Sequence, residues 1–471
     1  MTNFDIHQST ADSQGATSIS SSRQEHCTLL GNQSAHLVPA FTASPMRYVS
    51  LLTKLFVLAT LTFVGVHVQA RSLGSLPPPP ITPESMPEYL VESGVMPLQE
   101  VAVLSPLERM QKKLADRRAD RAKKAQNREP LHSAAPERLS PQVLNQNGIY
   151  LGATSIKRTD FFDDTLSRLQ ESNGNAVIFD VKGGGVLYRS SAPIATELGL
   201  VRSHYDLPAV IQKLKEQKVH VMGRFVAIKD EAFTAKRPDT RVKHPTSGRV
   251  LNQTWIDPAN DDAIQFNMQI ICELAAAGID EINLDYIRFS TAEVGALSAL
   301  DREEKSARVE KFVKAARETI DRCGPATRLG LSTYAILGWS YDVNVETLGQ
   351  DIVKLAPYVD VISPMAYPAT FSVDGGYYNP AKHGSSRMYH LVHRTLTGYQ
   401  ELLGDQSWKL RPWIQGYGVT TKNMQDQIAA VYDAGLCGYQ VWNANNNYAP
   451  TYAGMKSTVI PAHCQQAVAV R

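Results

Sequence analysis

The sequence predicts an α/β protein, a (β/α)8 barrel preceded by a disordered, proline-rich and charged N-terminal region. Three observations carry this. From residue 148 onward, short β-rich runs alternate with helical stretches. Eight such runs can be counted, and strands joined through helices pair in parallel. Before about residue 145 the alternation is missing.

The eight runs are "GIYLGATSI" (148–156), "AVIFDVK" (176–182), "VHVMGRFVAI" (219–228), "EINLDYIRF" (281–289), "RLGLSTYAIL" (328–337), "VDVISPMAY" (359–367), "RPWIQGY" (411–417) and "GYQVWNA" (438–444). Most are near-continuous in apolar residues, as expected of strands covered on both faces. Amphipathic helices are predicted over 261–278, 307–324 and 422–435, and the first and third close on a glycine. Eight βα units read as one closed barrel over residues 146–460, followed by a tail over 461–471. The longest insertion, about residues 229–256, follows the third strand.

The N-terminal part divides into three. Residues 1–45 are polar and without apolar period, so they read as disordered or as a mis-called extension. "MRYVSLLTKLFVLATLTFVGVHVQA" (46–70) has the basic start, apolar middle and small-residue end of a secretory signal peptide, with cleavage after Ala70. The alternative is a membrane anchor through residues 48–68. Residues 71–145 form a linker, with a polyproline-like "LPPPPITPESMP" and a charged helix over 107–129. These features predict an exported protein, periplasmic or secreted, that meets a membrane only if the segment stays uncleaved.

Composition narrows the function. The 471 residues carry a formal charge of +2 with 20% charged residues, without the concentrated basic face of a nucleic-acid binder. No nucleotide-binding glycine fingerprint, phosphate loop or G-x-S-x-G elbow appears. Twelve scattered histidines and five cysteines show no metal-ligand spacing, so neither metal nor cofactor is expected. Cys437 and Cys464 flank the last βα unit and are candidates for a bridge, which an exported protein permits.

Strand parity points to a site. Along "EINLDYIRF", Ile282 and Leu284 share the face toward the helices, whereas Asn283 and Asp285 point into the barrel. Asp285 falls at the C-terminal end of the fourth strand, where barrel active sites are built. Tyr286 and Arg288 are its nearest candidate partners, and a salt bridge to Arg288 closing the barrel top is the bland reading. The same parity sets Asp180 and Lys182 on one face of the second strand. The third strand and its continuation supply Arg224, Lys229, Asp230 and Glu231. Asp257 reads either as a helix N-cap or as a site residue. Aromatics and amides close the later strands: Tyr334, Tyr367, Trp413, Gln415, Trp442 and Asn443. Aromatic faces with amides suit sugar rings, which present apolar C–H patches rimmed by hydroxyls.

Taken in order, "GIYLGATS", "VIFDVK", "GRFVAIKDEAF", "WIDPAN", "EINLDYIRF", "VDVISPMAYPATF", "RPWIQGY" and "VWNANNNY" resemble a bacterial glycoside-hydrolase-like domain family, formerly a domain of unknown function with a predicted TIM barrel. The resemblance spans about residues 148–448 and implies an exported barrel acting on carbohydrate. It also implies acidic residues where this chain has Gly183, Gly184, Tyr334 and Gly416. A weaker similarity to family 18 chitinases places Ile287 where their catalytic acid would fall. The expected function is therefore a glycoside hydrolase acting on an extracellular or periplasmic polysaccharide. Asp285 is the expected nucleophile or transition-state-stabilising carboxylate, and Asp180, Asp230 and Glu231 are candidates for the acid. The alternative is a non-catalytic glycan-binding barrel that has lost its acid/base partner.

Overall fold

The computed structural model describes residues 144–292 and 294–465. The signal-like segment, the linker and most of the tail lie outside these residues. Ten strands form one sheet: β1 (Asn147–Leu151), β2 (Ala176–Lys182), β3 (Val186–Tyr188), β4 (Val201–Tyr205), β5 (His220–Val226), β6 (Glu281–Asp285), β7 (Arg328–Tyr334), β8 (Val361–Ala366), β9 (Trp413–Gln415) and β10 (Tyr439–Trp442). Eight of them, β1, β2 and β5–β10, run parallel, and β1 pairs with both β2 and β10, which closes the barrel. This is a (β/α)8 TIM barrel.

The barrel strands are the eight runs read from the sequence, mostly shorter. In the first, the strand stops at Leu151 and Ala153–Lys157 turns into a helix. The Asn446 side chain accepts hydrogen bonds from the Gly152 amide and the Ser155 hydroxyl, which draws the chain out of the sheet. The predicted 307–324 helix begins earlier, at Arg302, because Asp301 caps it by accepting from the Glu304 amide. Strands β3 and β4 were not expected. They extend the sheet beyond β2, with β3 antiparallel to β2 and β4 parallel to β3.

Outward-facing apolar side chains such as Val177, Phe179, Ile282 and Leu284 pack with the helices in the main core. The interior is mixed. Near the N-terminal ends of the strands, Glu281 and Arg411 are fully buried and ion-paired at 2.5 Å. Above them the Ser332 hydroxyl donates to Asn283 Oδ1 and accepts from the Trp413 indole. Ile178, Met222, Tyr150 and Tyr367 fill the remaining space. Polar groups at the axis are thus hydrogen-bonded to one another across strands, which burial requires of them. Disulfide Cys272–Cys323 ties two outer helices, and Cys437–Cys464 ties the loop before β10 to the last helix. No described helix is long and apolar enough to cross a membrane.

Candidate active site

At the C-terminal mouth, β2, β5 and β6 lie side by side, with Asp180 in register with Arg224 and Val226 in register with Asp285. Arg224 therefore rises between two carboxylates. Its Nη1 donates to Asp180 Oδ1 at 2.7 Å, while Nε and Nη2 donate to Asp285 Oδ2 at 2.8 and 2.7 Å. Because both carboxylates bond one planar guanidinium, their nearest oxygens lie no more than about 8 Å apart, a ceiling compatible with the roughly 5–10 Å that paired glycosidase carboxylates span. Their side chains keep 16% and 11% of their surface accessible, so the pair is recessed without being sealed.

The remaining carboxylate oxygens are held too. Tyr150 donates its hydroxyl to Asp180 Oδ2 at 2.6 Å, and the Tyr286 amide donates to Asp285 Oδ1 at 2.7 Å. Tyr205, delivered by β4, donates to the Asp180 carbonyl at 2.7 Å. Burial, and then the Asp180 charge, push the phenols of Tyr150 and Tyr205 well above their ordinary range, so both remain protonated donors. Burial alone would lower the Arg224 guanidinium; Asp285 and Asp180 outweigh it and hold the group charged. Trp442 lies under this guanidinium at 4.9 Å and against Tyr150 at 4.1 Å. Tyr286, next along the chain, adopts φ 53°, a left-handed conformation that a bulky residue rarely takes.

Asp180, Arg224, Tyr286 and Trp442 thus gather around Asp285. Asp285 is paired with Arg224 and not with Arg288. Arg288 instead donates to the Phe289 carbonyl and to the Tyr334 hydroxyl. Tyr367 is buried and packs edge-on with Tyr417, and Lys229 is exposed with its ammonium over the Tyr286 ring. Other expected site residues lie elsewhere. A register shift between Asp180 and Lys182 breaks the strand parity, and Lys182 turns outward. There its ammonium meets Asp230 at 2.7 Å, the Val226 carbonyl, and the Phe225 and Phe266 rings. Asp230 is consequently buried, and it also caps the helix Glu231–Lys236 through the Phe233 amide. Glu231 is exposed on the first turn of that helix.

Trp413 sits deep in the barrel on Ser332. Gln415 holds the Ala369 amide and the Tyr417 carbonyl, and Asn443 holds the Gly416 and Asn447 carbonyls. These amides order loops. Asp257 is not the cap of the helix Asp261–Ala276, a place taken by Asn260; it accepts from the Ala259 amide and pairs with Arg308. At Gly416 a Cβ would come within 2.6 Å of the Val441 side chain and 3.0 Å of the Trp442 carbonyl, which leaves no room for an acidic side chain. Sequence reasoning missed Tyr150 and Tyr205. Parity along β1 was the available signal for the first, whereas the second depends on the unforeseen β4. The single grouping with metal-ligand atoms close together among the described residues is Cys437, His463 and Cys464, and its two cysteines are joined to each other.

Several solved structures are similar to part of this chain. A hypothetical protein from Ruminiclostridium thermocellum is 28% identical over 39% of this chain and 96% of its own, with a TM-score of 0.33. A β-galactosidase from the psychrophilic Marinomonas ef1 is 11% identical over 69% of this chain and 58% of its own, with a TM-score of 0.46. The catalytic domain of a β-amylase from Paenibacillus polymyxa is 11% identical over 69% of this chain and 98% of its own, with a TM-score of 0.43. No curated protein matches the chain. Residues 148–448, well over half of the sequence, match one family throughout, and the chain belongs to it: the family described as "putative glycosyl hydrolase domain".

Proposed function

We propose that this protein hydrolyses glycosidic bonds in an extracytoplasmic polysaccharide, with Asp285 as nucleophile or transition-state-stabilising carboxylate and Asp180 as its partner. The observation that carries the reading is the Asp180–Arg224–Asp285 constellation at the C-terminal mouth, on three adjacent strands. Two carboxylates at this separation suit attack on, or stabilisation of, an oxocarbenium-like centre. Arg224 and the Tyr286 amide orient Asp285 before substrate arrives, which favours a group that must meet the anomeric carbon in one geometry. Asp180, held by the Tyr150 hydroxyl and Arg224, is the second carboxyl group beside it, placed to serve the leaving-group side of the bond. Trp442, half-buried, packs beside this group against Arg224 and Tyr150. The two disulfides and the signal-like residues 46–70 support an exported setting.

A second reading, a barrel that binds glycan without cleaving it, is favoured by one feature of the same site. Every oxygen of the carboxylate pair already accepts a hydrogen bond from the protein. Release of reducing ends from a panel of bacterial exopolysaccharides separates the two. The hydrolase reading expects release by the wild type and a loss of roughly a hundredfold or more in Asp285→Asn and in Asp180→Asn. Binding of a glycan with no release by the wild type would hand the site to the second reading.

A further inference from the structure

We infer that the barrel mouth recognises an anionic substituent on its glycan through Arg288; this substrate class rests on the glycoside hydrolase reading above. Arg288 is only 6% exposed. A guanidinium has five N–H donors, and this one places two of them, on the Phe289 carbonyl at 2.8 Å and the Tyr334 hydroxyl at 2.6 Å. Among the described residues no carboxylate lies within ion-pair distance of it. The other buried arginines all have one: Arg224 meets Asp180 and Asp285, Arg317 meets Asp360 and Asp321, and Arg411 meets Glu281.

Three aromatic rings surround the Arg288 charge, Tyr334 at 4.4 Å, Trp255 at 5.0 Å and Tyr286 at 5.5 Å. Ring faces offset part of what burying a cation costs, but a buried charge is fully compensated only by an opposite one. Lys229 adds a second cation over the Tyr286 ring at 5.2 Å, again with no carboxylate in reach among the described residues. Tyr286 links this pair to the reacting centre. It follows Asp285 directly, donates its amide to that carboxylate, and its left-handed turn leads the chain to Arg288. The positive pair thus flanks the ring of Tyr286, the residue that follows Asp285. A guanidinium fork matches the two oxygens of a carboxylate or of a sulfate ester. The site therefore suits a sugar bearing such a group, a uronic acid residue or a sulfated one, and a neutral glycan would leave Arg288 without its counter-ion.

The test is calorimetric titration of the full chain, as wild type and as Asp285→Asn to suppress turnover. The ligands are three oligosaccharides of equal length: an oligogalacturonate, a sulfated galactan fragment and a neutral galactan fragment. The expected result is about tenfold or tighter binding of at least one acidic oligosaccharide over the neutral one, weakening with salt. Which acidic ligand wins assigns the source of the anion. Arg288→Gln is expected to remove the preference, and Arg288→Lys to restore part of it. Equal affinity for all three ligands in the wild type overturns the inference, even where Arg288→Gln does not fold. So does a preference that survives in a folded Arg288→Gln. Acid preference without any reducing-end release refutes the hydrolase reading alone.

Discussion

Replacing Arg224 with methionine tests whether one guanidinium keeps the two carboxylates together. Methionine preserves an unbranched stem over Trp442 and removes the charge and all the donors. Arg224 makes two ion pairs from a largely buried position, with its side chain 8% exposed. Breaking a buried pair by removing one partner costs about 3–5 kcal/mol. The carboxylates are then left facing each other within about 8 Å, which at an effective dielectric of about 20 adds at least roughly 2 kcal/mol of repulsion. A loss of about 5–7 kcal/mol from a barrel of about 320 residues corresponds to a melting point lower by about 7–10 °C. Thermal melts followed by circular dichroism at pH 7 measure it. The cause is isolated by adding Asp180→Asn and Asp285→Asn to Arg224→Met. Each should return part of the loss, and the triple variant more than half of it. An Arg224→Met melting point within about 2 °C of wild type refutes the reasoning. So would carboxamide substitutions whose effects simply add to that of Arg224→Met, because adjacent charges must couple.

Three further outcomes follow from named contacts. Burial alone would raise the Glu281 carboxyl, but Arg411, aided by His220, outweighs it and holds the group down to about 2. The folded value lies below the ordinary one, so this stabilisation is fully present above about pH 4.5 and is lost as pH falls toward 2; urea melts from pH 7 to pH 2.5 should show it, and a Glu281→Gln variant declining in parallel with wild type would contradict it. The Cys272–Cys323 bridge joins the helix Asp261–Ala276 to the end of the helix Arg302–Cys323 across 51 residues, so the double alanine variant should lose about 2–4 kcal/mol in denaturant melts; an unchanged midpoint counts against the bridge. If the protein is exported as proposed, its N-terminus should be Arg71, and limited proteolysis should trim it to a stable core starting near residue 145; digestion of the barrel at the rate of the preceding residues, or a start upstream of Arg71, contradicts these boundaries.

Parallel barrel strands are covered by helices outside and by one another inside, so their sequences become short apolar runs that stand out from the chain around them. All eight were legible for that reason. Their two-residue period then carried information about direction, and it placed Asn283 and Asp285 inward and Ile282 and Leu284 outward. The β3–β4 extension escaped because "VRSHY" is largely exposed and has no apolar run to mark it. The bridge Cys272–Cys323 escaped because nothing local brings together two residues on neighbouring helices.

The misplacement of Lys182 shows where period-two reasoning ends. Parity holds only while the ladder stays in register, and one extra residue transfers a side chain to the opposite face. The shift falls between Asp180 and Lys182, so Asp180 keeps its place at the mouth while Lys182 leaves it. That shift is what makes the site's charge pattern. A lysine beside Asp180 would have given that carboxylate a partner of its own, and Asp230 would have lost its buried counter-ion. With Lys182 outside, neutralising Asp180 falls to Arg224, from a strand 44 residues further on, which also holds Asp285, 61 residues further still. A triad assembled at such separations is invisible to motif spacing, because its members are adjacent only across the strands. Arg288 follows the same logic. Proximity in sequence made it the expected partner of Asp285, but an arginine three residues past a strand end belongs to the loop, while Arg224 lies on the neighbouring strand and points into the same mouth. Register therefore pairs Asp285 with Arg224, and Arg288 is left among its rings with no carboxylate of its own among the described residues.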